Sequence, residues 1–78
     1  MENVILGTTY DFIELVGSSS DGWEEAVRNA IDTADVSLTN LRIAEIVELD
    51  ATLEDGNIVA YRAKIKLSFK YEIEPETL

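Results

Sequence analysis

From Asn57 to Glu74 the chain alternates apolar and polar residues with hardly a break. Val59, Tyr61, Ala63, Ile65, Leu67, Phe69, Tyr71 and Ile73 share one face, while Ala60, Arg62, Lys64, Lys66, Ser68, Lys70, Glu72 and Glu74 share the other. A period of two predicts a half-buried strand. Leu41 to Leu53 repeats the pattern more loosely: Leu41, Ile43, Glu45, Val47 and Leu49 occupy the odd face, and Ala44 and Ile46 interrupt the polar even set. Thr9 to Val16 is rich in β-branched and aromatic residues, with apolar side chains on both faces, and Gly17-Ser18-Ser19-Ser20 is expected to end it. Between these strands the period becomes helical. Trp23, Ala26, Val27, Ala30, Ile31 and Ala34 form one stripe, and Glu24, Glu25, Arg28, Asn29, Asp32 and Asp35 fill the rest. Asp21 is the expected N-cap, Glu24 completes a capping box, and Glu24 and Glu25 complement the helix dipole. The helix should run for about 14 to 17 residues and fade near Ser37 to Asn40.

Both long strands are expected to lay their odd faces on the helix stripe, which constrains their register. A loop of Glu54-Asp55-Gly56, with Gly56 supplying a positive φ, meets that demand. It places Glu48 opposite Arg62, Val47 opposite Ala63 and Ile43 opposite Leu67. The second choice pairs Glu48 with Lys64 and Asp50 with Arg62. Because the helix returns the chain, the second strand runs parallel to the first. The third is antiparallel to both and belongs between them. The expected fold is α+β, a β-α-β-β unit with a three-stranded antiparallel sheet in order 1-3-2 and one helix on one face. Ile46, Ala44 and the second apolar set of the first strand then lack cover, which marks a partner surface. A single domain over residues 1–78 is expected, with an ordered core over about 9–74 and a flexible lead (1–8) and tail (75–78).

Composition narrows the function. With 78 residues, no Cys and no His, the chain cannot strengthen its small core by disulfides, thiolate zinc or imidazole ligation, which leaves self-association. A net charge of −10 repels phosphate backbones, so nucleic acid is not an expected partner. No apolar run approaches the roughly 20 residues that span a bilayer, and no secretory signal is evident, so a cytoplasmic location is expected and a membrane partner is not. No catalytic triad, phosphate loop or metal motif is present, and the chain is not expected to be an enzyme.

The run FIELVGSSSDGWEEAVRNAI, followed by LTNLRIAEIVE and DGNIVAYRAKIKLSF, strongly resembles the dodecins over nearly the whole chain, roughly Tyr10 to Phe69. The resemblance implies a protomer whose sheet partly wraps its helix, assembly into a hollow homododecamer, and flavin binding or storage, with coenzyme A bound by some members. It implies a ligand pocket at Ile43, Glu48 and Arg62. Two of these depart from the flavin-binding pattern: Ile43 stands where the family has a stacking Trp, and Arg62 where it has a Gln after the Tyr. Ile offers contact area without a π-face, and an Arg62–Glu48 ion pair would fill and charge the site. Binding of FMN or riboflavin is therefore expected to be weak or absent. The sequence looks most like a calcium-associated subset of the family that lacks the Trp.

Each remaining feature has a plain reading beside its functional one. Trp23, heading an apolar stripe, is expected in the core rather than as a displaced flavin platform. The serine run is expected to be a connection, since Asp21 opposes anions there. Arg42, Lys64 and Lys66 are candidate phosphate contacts, yet the row Arg62, Lys64, Lys66, Lys70 is better explained by pairing with Glu48, Asp50, Asp11 or Glu14 on flanking strands. The acid surplus suits Ca²⁺, through carboxylates of several subunits that one chain does not name. The expectation is thus a homo-oligomeric small-ligand carrier, with a calcium-binding or purely structural cation-stabilised shell as the alternative.

Overall fold

A computed structural model describes residues 9–71. Its elements are β1 (Thr9–Ser19), α1 (Trp23–Asp35), β2 (Leu41–Glu54) and β3 (Asn57–Tyr71). The sheet is antiparallel with order β1-β3-β2, as the chain directions require. The lead and tail expected to be flexible lie outside the described residues, as do residues 72–74 of the expected third strand.

The core is small and built on small side chains. Ala26, Ala30 and Ala34 of α1 meet Ala63, Ile65 and Leu67 of β3, and these six are the buried hydrophobic residues among those described. Ile13, Leu15, Val27, Ile31, Leu38 and Leu41 pack around them. Alanines bring the helix axis close to the sheet, and Gly17 brings it closer still. A Cβ at Gly17 would lie 2.0 Å from the Ala26 carbonyl oxygen and 2.9 Å from the Ala30 Cβ. This contact explains a departure from expectation: β1 does not stop at Val16 but continues through Gly17 to Ser19. Glycine here is a seat for the helix, not a breaker.

Two further expectations fail at the turns. The helix has no capping box. Its N-cap is Gly22, with no side-chain hydrogen bond to the helix, and the Asp21 amide instead donates to Ser19 Oγ at 2.9 Å. The strand-to-helix link thus closes on itself before Asp21 can reach the first turn. The hairpin is tighter than the expected three-residue loop. Glu54 pairs with Asn57, leaving Asp55 (φ 52°) and Gly56 (φ 79°) as a two-residue turn with both centres left-handed.

The register of β2 on β3 also differs, and its cause is local. Near the middle the pairs are Glu48 with Lys64, Leu49 with Ala63 and Asp50 with Arg62. Glu48 does not face Arg62, Val47 does not face Ala63 and Ile43 does not face Leu67. The second-choice pairing is the one adopted there. A bulge between Ile46 and Glu48 then reverses the faces from Ile43 to Ile46, and a second break at Arg42 returns Leu41 to the helix side. Between the two breaks Ile46 lies opposite Ile65 and Ala44 opposite Leu67, on the helix side, while Ile43 lies opposite Ser68 on the other. The apolar residues that interrupt the even set are therefore inward residues displaced by one extra position.

Candidate functional site

The face of the sheet away from α1 carries the residues singled out by the sequence. Cross-strand register sorts them into rows: Ser18–Arg62–Asp50, Val16–Lys64–Glu48, Glu14–Lys66–Glu45 and Phe12–Ser68–Ile43. The β3 cations of this face come from its even positions, whose odd neighbours are buried under the helix. Each of the first three rows sets one cation of the central strand beside a carboxylate of β2.

The strength of these pairs falls along the ladder. Arg62 donates Nε to Asp50 Oδ1 and Nη2 to Asp50 Oδ2, each at 2.8 Å, a bidentate clasp. Lys64 approaches Glu48, and Lys66 approaches Glu45, at 4.0 Å. The Lys66 ammonium also lies 4.6 Å from the Phe12 ring centroid, a cation–π distance. The Arg62 hydrogen bonds hold the Asp50 carboxyl below its ordinary value of 3.8, aided by the charges of Arg62 and Lys64. The same bonds, made by Asp50, raise Arg62 above its own ordinary value. All three pairs are solvated, so each adds little to stability.

Geometry separates the positions that were grouped together by resemblance. Ile43 lies opposite Ser68, six residues along β3 from Arg62. At about 3.4 Å per residue that is roughly 20 Å. Glu48 sits between them, paired with Lys64 and not with Arg62. Arg42 falls in a register break between Leu41 and Ile43. Arg62, Lys64 and Lys66 stand in the ladder with carboxylates beside them, so these three cations of the row are matched by acid within the protomer, while Lys70 lies opposite Tyr10. Lys66 lies between Glu14, opposite it on β1, and Glu45, which it approaches on β2; the expected acid Asp11 lies opposite Phe69 and thus on the helix side. Among the described residues no group of three or more Asp or Glu converges as a metal cage.

A second feature lies on the helix side and was not anticipated. Trp23, Val27 and Ile31 of α1 and Ile46 and Leu49 of β2 line an open groove of about 310 Å³, with Glu24 and Arg28 at its rim. Trp23 is not a core residue. Its ring meets Tyr61 edge-on at 4.8 Å, its Nε1 donates to the Asp50 carbonyl at 2.9 Å, and 39% of it remains exposed. Ile46 and Leu49 are 53% and 46% exposed. The only sequence signal for this groove is Ile46, apolar at a position where strict alternation wants a polar residue.

The pattern of known proteins fits this sheet and helix. The family model Dodecin matches residues 9–72. The chain belongs to the dodecin family. Calcium dodecin of Mycobacterium tuberculosis is 32% identical over 63 residues, 81% of this chain and 89% of that protein. Dodecin of Thermus thermophilus is 30% identical over 67 residues, 86% of this chain and 97% of its own length. The solved structure of dodecin from Streptomyces coelicolor superposes with a TM-score of 0.82 at 34% identity, covering 90% of this chain and 100% of that one. As a dodecin, the chain joins a family with flavin- and calcium-binding members. No helix among the described residues is long and apolar enough to cross a membrane.

Proposed function

We infer that this dodecin is a homododecameric carrier or store for a small ligand, not an enzyme, and that its affinity for flavin is weak. The observation that carries the reading is the Arg62–Asp50 clasp at the family's Gln position, on a face where Ile43 replaces the stacking ring. A neutral amide at that position can both donate to and accept from a flat ring edge; a guanidinium held on a carboxylate brings charge, has no acceptor, and turns its Nε and one Nη2 hydrogen away from a ligand. Ile43, Glu48 and Arg62 are strung along about 20 Å of one protomer, so a pocket using them would draw residues from more than one copy. Cytoplasmic residence accords with this role, and nucleic acids and membranes are not partners in it.

Titration with FMN or riboflavin tests the reading. Micromolar protein should leave flavin fluorescence almost unquenched. The Ile43→Trp, Arg62→Gln double variant should bind about 5- to 150-fold more tightly, the range that stacking worth about 1 to 3 kcal/mol implies. Strong quenching by the unaltered protein would refute it.

Calcium is a second reading, favoured by the likeness to Calcium dodecin and by a charge of −10 per chain. Carboxylates contributed by neighbouring copies would form such a site. Millimolar CaCl₂ should then raise the melting temperature well beyond NaCl of equal ionic strength.

A further inference from the structure

Among the described residues, two hydrogen bonds tie α1 to the strands, and both end on one row of the sheet. Trp23 Nε1 donates to the Asp50 carbonyl of β2 and Asn29 Nδ2 to the Ser18 carbonyl of β1, each at 2.9 Å. Ser18 and Asp50 are the two residues opposite Arg62. The helix therefore grips, from its own side of the sheet, both flanks of the row whose other face carries the Arg62–Asp50 clasp. Trp23 holds the central strand as well, since its ring meets Tyr61, the residue before Arg62, edge-on at 4.8 Å. The rows centred on Lys64 and Lys66 have no such tie among the described residues, and their ion pairs close only to 4.0 Å.

A bidentate clasp is demanding, because two donors and two acceptors must be presented within about 0.5 Å and 10–20° of their joint geometry. Burial does not hold this one: the Arg62 and Asp50 side chains are 47% and 43% exposed. Its alignment is left to the main chains beneath it. We propose that Trp23 and Asn29 are positioning residues for the ligand face: by pinning the Asp50 and Ser18 carbonyls they hold β2 and β1 against β3, so that Asp50 stays closed on Arg62 and the guanidinium is withheld from a ligand. The clamp rests on the weak-flavin reading above and adds what keeps that face shut from the opposite side of the sheet. FMN, whose phosphate would pair with a released Arg62, gains apparent affinity as the fraction of open clasps rises, whereas neutral riboflavin does not.

Hydrogen exchange at the Arg62 Nε–H, followed by NMR on the full chain with ¹⁵N in its three arginines, tests the clamp. The Arg62 signal is the one lost in Arg62→Gln. Trp23→Phe keeps an aromatic ring beside Tyr61 but has no N–H, and it should speed this exchange at least about twofold, the lower end of what one hydrogen bond sets. Asn29→Ala should act in the same direction. In both variants FMN affinity should rise with the exchange rate while riboflavin affinity stays unchanged. Ile31→Ala trims the packing of the helix without touching either tie, and should leave both readouts where they were. Exchange indifferent to Trp23→Phe and Asn29→Ala would overturn the proposal, because the clasp would then hold its own geometry. Equal acceleration by Ile31→Ala would overturn it too, since any loosening of the helix would then open the clasp. Strong flavin quenching by the unaltered protein would refute the weak-flavin reading, while exchange that depends on Trp23 would still uphold the clamp.

Discussion

At Asp50, one side chain couples electrostatics to ligand choice. Two hydrogen bonds to Arg62 stabilise the carboxylate and lower its pKa in the folded protein. A depressed folded pKa means that the pair's contribution is fully present above the ordinary carboxylate value of 3.8 and is lost as pH falls through the lowered folded value. Asp50→Asn removes this term. The variant's stability, followed by thermal melting between pH 2 and 5, should therefore fall less steeply on acidification than that of the unaltered protein. Arg62 would also be released at neutral pH, so the same variant should bind anionic ligands such as FMN better than neutral riboflavin. The sequence placed Arg62 among acids, but the partner it chose was the one two residues beyond Glu48. That choice depends on which strand position faces which, and composition does not carry it.

Between elements, the decisive contact is the crossing of α1 over β1. The stripe of Ala26, Ala30 and Ala34 was legible in the sequence because its spacing is that of a helix. By residue type Gly17 is a strand breaker, although it is where the helix rests. A Cβ there meets backbone, which cannot swing aside as a flexible side chain can. Gly17→Ala should therefore destabilise the protein by about 1 to 3 kcal/mol, the range for overpacking a tight contact. Melting curves at matched protein concentration would check this, since association shifts apparent stability. The bulge at Val47 is the other determinant at this scale. It turns Ile46 and Ala44 inward and Ile43 outward, and so decides which residues are offered to a ligand or a neighbour. Alternation alone assigns every odd residue of β2 to one face, and the breaks at Val47 and Arg42 reverse that assignment between Ile43 and Ile46.

For the whole molecule the tension is between greasy surface and charge. Trp23, Ile46, Leu49, Leu53 and Ile58 stay substantially exposed in the single chain, which favours association. A charge of −10 on each copy opposes it. Screening should decide the balance: the Debye length falls from about 30 Å at 0.01 M salt to about 8 Å at 0.15 M. The assembly should accordingly loosen in low salt and tighten as NaCl is added, a trend that light scattering at fixed protein concentration would register. An assembly weakened by added salt would mean that the ion pairs, not the apolar patches, hold the copies together.

The linear pattern was sufficient for the β-α-β-β order, the middle place of β3, the helix stripe and the family, because periodicity and chain direction are properties of consecutive residues. It also marked Ile43 and Arg62 as departures from the flavin pattern, since those depend on residue type alone. Which carboxylate clasps Arg62, which half of β2 looks toward the helix, how far β1 continues and where the groove opens were settled only in three dimensions. Each turns on a single inserted residue or a single absent Cβ, and such displacements acquire meaning only when another strand or helix lies against them.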